Sequence, residues 1–494
     1  MLFFSLYRQR ILLCILFTGL LLYSFTGELV DYNEGAGWDG MTYYSIVKDF
    51  DVLIRNRGID SYHMTRILPF AINHYILSFL NIEITIQSAV ICARLLNLLF
   101  LVMLVFYFFS ISDELSWNRK TEIIAFSFCF FNVPILKMFG YLPLSTDCSA
   151  LLFSYMGIYY YLKRNYWWMG GTVLLSMLTW PILSIVLFIL AIFPRYKVIP
   201  VDGSGLSLAI RCIYVLYVPL VYFVPIIASK FGYFDLNVST SVCRPPMNMV
   251  MFYLAMISTI CFYIVSTRVL VVNWNSIFKH IFNKSFLMKF FFFSVLFSIL
   301  LYGIISMGGN PQHTVVLQLV CMVTYSASDI LIFLETPFLY LGLFFLLILL
   351  LWKKIVRVVC ENYGIGYFLV LMLALFFLMD IETRKLTSFY PIMLVPLMDC
   401  LQKMNLRTTI VYFIPVVCIF CSFFWFPINT PDIGMAFNQP YSTYVEFPAQ
   451  RLFMFLGPWQ SHLAYLIVAS IEVIIGSFLV IMSKKGMFTT EHQN

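Results

Sequence analysis

The sequence predicts an all-α, polytopic integral membrane protein, and three observations carry that prediction. Of 494 residues, 61% are hydrophobic and only 11% are charged, whereas a soluble domain has roughly 25% charged residues. The mean hydropathy is +0.89. Apolar runs of about 20 residues, the length that a helix needs to cross the hydrocarbon core of a bilayer, recur through most of the chain. These observations exclude the soluble globular class.

Convincing apolar runs predict about twelve transmembrane helices. They lie near residues 9–27, 87–110, 122–140, 145–162, 206–229, 248–268, 288–306, 329–352, 364–380, 386–401, 408–426 and 461–482. The first run is too long for a signal peptide and no small-residue cleavage site follows it, which predicts an uncleaved first helix. The twelve cysteines show no metal or redox spacing, and those inside apolar runs are expected to behave as small hydrophobic side chains.

A further apolar stretch, residues 166–194, is long for one helix and is interrupted by Pro181. It fits either one tilted, kinked helix or two short helices that form a broken hairpin. The hairpin places the basic clusters between the apolar runs on one face, which the positive-inside rule makes cytoplasmic together with both termini. We therefore favour the hairpin. We interpret the net charge of +7 as topology information rather than as a nucleic-acid-binding surface.

With that topology, the loops with unusual residues fall on the extracytoplasmic face. The longest and most acidic is residues 28–86, whose apolar stretches are too short to cross a bilayer, so interfacial helices are expected there. We divide the chain into a module of residues 1–400, which includes this loop, and C-terminal helices in residues 401–494 with an outer loop at 428–460. Function is expected at the first loop.

The stretch "GWDGMTYY", residues 37–44, has the composition of a binding site. Asp39 lies between two glycines, which permit tight turns and the close approach of a ligand. Trp38, Tyr43 and Tyr44 are suited to stacking against a sugar or to the headgroup level of a bilayer. A carboxylate placed there can act as a general base toward a hydroxyl, or it can bind a divalent cation, the one cofactor that the sequence suggests. A turn-stabilising role is the alternative.

A second stretch of the same loop, "YHMTRILPF", adds positive charge. His63 and Arg66 precede a short apolar segment that is predicted to lie near the outer surface, which brings both side chains toward the cavity of Asp39. A guanidinium forms two parallel hydrogen bonds to a phosphate and never loses its charge. Arg66 is therefore a candidate phosphate ligand, with snorkelling to lipid headgroups as the alternative.

The order of these motifs resembles the bacterial multi-pass membrane proteins of the GT-C glycosyltransferase superfamily. The resemblance is carried by "GWDGMTYY" and "TRILPF" and continues more loosely through "LPLSTDCSALLFSYMGIYYYLKRN", "LLSMLTWPILSIVLFILAIFPR" and "DIETRKLTSFYPIML". It implies a polyprenyl-phosphate sugar as donor, a glycan or lipid-linked acceptor, an essential acidic residue in the first outer loop, and the bacterial cytoplasmic membrane as location. At the broken hairpin many relatives carry a basic residue, whereas this chain has Trp180.

The looser motifs add further candidate residues. Asp147 begins an apolar run and either caps the amides of that helix or belongs to the site. Glu382, Arg384 and Lys385 lie in the turn "DIETRK". An ion pair within that turn is one interpretation, and the other has Arg384 or Lys385 holding the phosphate of the donor while Glu382 orients it.

The resemblance implies that Asp39 takes the proton from an acceptor hydroxyl while arginines neutralise the departing lipid phosphate. Two other classes stay open. A polysaccharide polymerase or ligase usually has key arginines in a large loop of its second half, and residues 428–460 carry only Arg451. A lipid-linked sugar flippase or transporter usually shows repeats and charges near the membrane midplane, whereas most ionisable groups here lie at predicted helix ends.

Overall fold

The fold is described from a computed structural model of the chain. It describes residues 2–37, 39–193, 195, 204–232, 248–268, 283–309, 323, 326–327, 329–379, 383–404, 406–425 and 462–484. Within these residues all regular structure is helical, and the one extended pairing is an isolated bridge between Asp60 and Gly309. The predicted all-α class is confirmed for this part of the chain.

The helices have the following bounds. They are α1 Leu2–Phe25, α2 Asp39–Lys48, α3 Phe50–Arg55, α4 Ser61–Met64, α5 Leu68–Phe79, α6 Ile86–Glu114, α7 Arg119–Phe130, α8 Phe139–Tyr141, α9 Asp147–Leu162, α10 Tyr166–Met177, α11 Pro181–Ile192, α12 Ser204–Tyr222, α13 Val224–Lys230, α14 Met249–Arg268, α15 Lys284–Ser306, α16 Ile332–Leu341, α17 Leu343–Val358, α18 Ile365–Phe377, α19 Tyr390–Gln402, α20 Thr408–Cys421 and α21 His462–Lys484. Short 3-10 segments lie at Asn33–Gly35 and Thr383–Phe389, and π-helical turns lie at Pro134–Met138 and Val359–Tyr363.

Several of these helices suit a membrane. Among the described residues, five are long and apolar enough to cross a bilayer, and the number rises to seven if each of two bent helix pairs counts as one span. The protein is therefore a membrane protein by its helices, but the predicted count of twelve crossings is not confirmed. The predicted run 329–352 is not one straight helix, because α16 and α17 meet at an angle of 118°. Gly342 makes this bend, with a φ of 59° that favours glycine.

Ion pairs and hydrogen bonds collect at one end of the bundle, which we call the basic end. Arg10 at the start of α1 contacts Glu122 at 2.7 Å, and Lys163 after α9 contacts Glu114 at 2.7 Å. Arg195 after α11 donates to the carbonyl of Asn362 at 2.6 Å. Three of the basic clusters that the sequence assigns to one face thus lie at the same end of the described bundle.

Residues 166–192 form a hairpin. The helices α10 and α11 pack side by side, with Leu178–Trp180 as the turn between them. Helix α10 starts and α11 ends at the basic end. The turn between them lies at the opposite end, where the carbonyl of Leu178 accepts from the amide of Leu68 at 2.9 Å. Pro181 begins α11, a position at which its missing N–H costs no helical hydrogen bond.

The opposite end, which we call the loop end, carries the segment of residues 28–86. This segment folds as the short helices α2 to α5, as expected for interfacial helices, and α5 packs on α2 and α6. Arg94 of α6 holds the start of this segment, because its side chain donates to the carbonyls of Gly27, Glu28 and Gly140 at 3.1, 3.2 and 2.8 Å. Residues after α15 also contact the segment, since the amide of Gly309 donates to the carbonyl of Ile59 at 2.7 Å.

Candidate active site

The candidate site is built around the first turn of α2, at the loop end. Asp39 is the first residue of this helix, where its negative charge complements the helix dipole. Gly37 precedes it with a φ of 78°, and a Cβ at Gly37 would come within 2.3 Å of the Leu142 side chain. Only glycine therefore lets the chain turn here against the segment that leads into α9.

A basic residue from the second half of the chain faces Asp39. An Arg384 terminal nitrogen lies 3.7 Å from Asp39 Oδ2, and the two side chains are 17% and 45% exposed. Ser145 and Thr146, which precede α9, complete a small cavity between them. The cavity is small and holds about one water.

Tyr43 forms the centre of the site, one helical turn after Asp39. It is buried and stacks on Phe70 with ring centroids 3.9 Å apart. Burial raises the pKa of the Tyr43 phenol well above its ordinary value, while the charge of Arg66 lowers it and the charge of Asp39 raises it. Tyr43 is thus a neutral hydroxyl that can donate or accept a hydrogen bond, and it interacts with both the Asp39 carboxylate and the Arg66 guanidinium.

Arg66 interacts with the Tyr43 hydroxyl and is 6% exposed. Its guanidinium carbon is 4.1 Å from the ring centroid of Tyr62 and 4.4 Å from that of Trp180, so two aromatic faces hold it. No carboxylate of the described residues lies within ion-pair distance of this guanidinium. We call Asp39 and Arg384, together with the four residues Tyr43, Tyr62, Arg66 and Trp180, the Asp39 cluster.

The structure brings together Asp39, Tyr43, Arg66 and Arg384 from the residues that the sequence singled out. Tyr44 faces away from the cluster, with its hydroxyl 3.5 Å from the carbonyl of Ile84, because successive helical residues point in different directions. Its predicted role as a substrate ligand is not supported by this geometry.

His63 contacts the cluster through the ring of Tyr43. Its ring meets Tyr43 edge to face at 5.3 Å, but its Nδ1 lies 2.5 Å from Asp60 Oδ2. Asp60 also accepts from the amides of Tyr62 and His63 at 2.9 and 3.0 Å and so caps α4. His63 therefore supports the turn that carries Tyr62 and Arg66 rather than facing the cavity.

The remaining predicted residues stand as follows. Asp147 is buried as the first residue of α9, directly after the Thr146 that lines the cavity. Lys385 is half-buried and follows Arg384 in the 3-10 segment. Trp38 and Glu382 lie outside the described residues.

Sequence reasoning missed Tyr62 and did not assign a role to Trp180. Trp180 had one signal, its position at the break of the hairpin, where it is 1% exposed. Tyr62 had none, since only the fold shows that its ring covers Arg66. The hydrogen bond from Leu68 to Leu178 brings these two segments together across more than 100 residues of sequence.

The described residues offer no set of side chains arranged to bind a metal ion. Within the described residues, no group of three or more His, Cys, Asp or Glu side chains is arranged to hold a metal ion. The chemistry available to the cluster is that of one carboxylate, two guanidinium groups, two phenols and an indole N–H. Such a set can accept a proton at Asp39 and bind an anion at the guanidinium groups.

Comparison with known proteins adds no relative. No protein-family model, no curated protein and no solved structure matches the chain.

Proposed function

We propose that the protein is a membrane glycosyltransferase of the GT-C type. It transfers a sugar from a polyprenyl-phosphate donor to a cell-surface glycan or to a lipid-linked acceptor, on the extracytoplasmic side of the bacterial cytoplasmic membrane. In this proposal the basic end is cytoplasmic with both termini, the loop end is extracytoplasmic, and the chain crosses the membrane about twelve times.

The observation that carries the proposal is the combination of a half-exposed carboxylate with a buried arginine that has no described carboxylate partner. Asp39 is 45% exposed on its side chain and lies beside Arg384. Arg66 is buried, lies against the faces of Tyr62 and Trp180 and interacts with the Tyr43 hydroxyl. A buried cation without a counter-ion is costly unless an anion binds it. A lipid phosphate next to a general base is the arrangement that glycosyl transfer from such a donor requires.

The chemistry follows from these positions. The Asp39 carboxylate accepts the proton of an acceptor hydroxyl as its oxygen forms a bond to the anomeric carbon of the donor sugar. The bond between that carbon and the phosphate oxygen breaks, and the phosphate leaves with the bonding electrons. Arg66 and Arg384 stabilise the negative charge that collects on it in the transition state. A single displacement of this kind inverts the anomeric configuration.

The competing classes differ in what they would need from the cluster. A polymerase or ligase would use the same proton transfer, with a longer glycan on the donor lipid. A flippase would bind the lipid phosphate but would have no use for a base at Asp39. The substitution Asp39→Asn separates the flippase from the enzymes, since it removes the base and keeps the size of the side chain.

The test is the surface-glycan composition of a strain that lacks the gene, complemented with the wild type, Asp39→Asn or Asp49→Asn at matched membrane levels. Asp49 is the matched control, because it is exposed, lies ten residues along the same loop and makes no capping hydrogen bond with its side chain. We expect the wild type and Asp49→Asn to restore a missing sugar and Asp39→Asn to lose at least about 100-fold in transfer rate. Full restoration by Asp39→Asn would refute the catalytic role of this carboxylate.

A further inference from the structure

Two side chains that are in contact inside the Asp39 cluster each carry a hydrogen-bond donor that has no acceptor among the described residues. The donors are Nε of Arg66 and Nε1 of Trp180, both buried from solvent. Their side chains are 6% and 1% exposed. Neither group can act as an acceptor, since the guanidinium and the indole N–H only donate. A group that hydrogen-bonds to both donors must therefore have lone pairs that accept the two bonds.

The aromatic contacts of Arg66 do not meet this need. The faces of Tyr62 and Trp180 stabilise the charge of the guanidinium but take no N–H bond from it. A water molecule could accept from the two donors, but it would leave the positive charge of a buried side chain uncompensated. An anion with two acceptor oxygens satisfies both donors and the charge.

The fold fixes the two donors relative to each other. Trp180 is the N-cap of α11, and its amide donates to the carbonyl of Ser176 at 2.8 Å, which closes the turn of the hairpin. The amide of Leu68, two residues after Arg66, donates to Leu178 in the same turn. The guanidinium carbon lies 4.4 Å from the centroid of the Trp180 ring, so the two donors belong to side chains in direct contact. The pair is pre-organised before any ligand arrives.

We propose that Arg66 and Trp180 form an oxyanion subsite for the phosphate group of a lipid phosphate. The Nε–H of Arg66 and the Nε1–H of Trp180 donate to two of its non-bridging oxygens, so that a neutral indole supplies a hydrogen bond at the tip of the hairpin. The assignment to a lipid-linked sugar donor rests on the proposed function. The binding of a lipid phosphate does not, and it is measured without turnover.

The test is a binding titration of the purified protein in phosphatidylcholine nanodiscs. The probes are a polyprenyl phosphate, the matching polyprenol and inorganic phosphate. Trp180→Phe keeps an aromatic face for Arg66 and removes the N–H together with part of the ring. Trp168→Phe makes the same chemical change at a side chain that is 62% exposed and is the control. A hydrogen bond to a charged acceptor predicts about tenfold weaker binding of the polyprenyl phosphate to Trp180→Phe and unchanged binding to Trp168→Phe.

Other arms of the titration separate the sources of the anion. We expect the polyprenol to bind at least about tenfold more weakly than the polyprenyl phosphate to the wild type, and inorganic phosphate to bind more weakly still. Equal binding of the polyprenol overturns the oxyanion subsite. Inorganic phosphate that binds as tightly as the lipid overturns the assignment to a lipid.

Two further variants keep the result decisive. If Trp180→Phe does not fold, Arg66→Lys removes the Nε donor while it keeps the charge, and wild-type binding by that variant overturns the proposal. If Asp39→Asn transfers sugar normally while Trp180→Phe binds the polyprenyl phosphate weakly, the proposed glycosyltransferase mechanism fails and the phosphate subsite stands.

Discussion

Replacing Arg384 by glutamine should separate stability from activity, because this side chain faces Asp39 in a half-open cavity. At the observed 3.7 Å, a pair of unit charges interacts by about 1 kcal/mol at the dielectric constant of water and by about 4 kcal/mol at an effective value of 20. The Asp39 side chain is 45% exposed, so the lower figure applies and the loss of folding stability should be about 1 kcal/mol or less.

The effect on transfer should be much larger. If Arg384 stabilises the charge of the departing phosphate, its removal acts in the transition state and should lower the rate by about 100-fold to 1000-fold. The rate is measured as the appearance of the restored surface sugar in the complemented strain. Stability is measured by thermal unfolding of the purified protein in the same detergent for all variants.

Arg94→Gln is the matched control for this prediction. Arg94 is also an arginine at the loop end, but it donates to three backbone carbonyls, of Gly27, Glu28 and Gly140. Its loss should cost roughly 3 kcal/mol of stability and leave the rate per folded molecule near that of the wild type. The reasoning is wrong if Arg384→Gln unfolds as readily as Arg94→Gln, or if it transfers sugar at the wild-type rate.

Two other predictions concern the framework that holds the cluster. A Cβ at Gly308 would come within 2.8 Å of loop backbone, so Gly308→Ala should lower the free energy of unfolding by about 1–3 kcal/mol. The control Gly303→Ala should not lower it, because a Cβ there meets nothing within 4 Å. Equal melting temperatures for the two variants would contradict this prediction. At the basic end, Glu122 is fully buried against Arg10, so Arg10→Met should cost about 3–5 kcal/mol. The control Asp113→Asn, on a side chain 61% exposed, should cost about 1 kcal/mol or less in chemical denaturation, and a similar loss for both variants would refute the account.

Local features of the sequence were sufficient for part of the site. Asp39 and Arg66 stand out because a charged residue among glycines and aromatics is conspicuous in a chain with few charges. Tyr43 and Tyr44 could not be told apart from the sequence, since both belong to the same aromatic pair. The helix decides between them, because it turns Tyr43 into the cluster and Tyr44 toward Ile84.

The membrane class and the helical fold class were determined by the sequence itself, because hydropathy and the length of apolar runs act residue by residue. Which helices meet is a property of packing over the whole chain. Only the tertiary structure brings Arg384 to Asp39 and Trp180 to Arg66. These contacts join segments separated by more than 100 residues, and no local pattern specifies them, because they depend on how the hairpin, the first loop and the 3-10 segment pack at one end of the bundle.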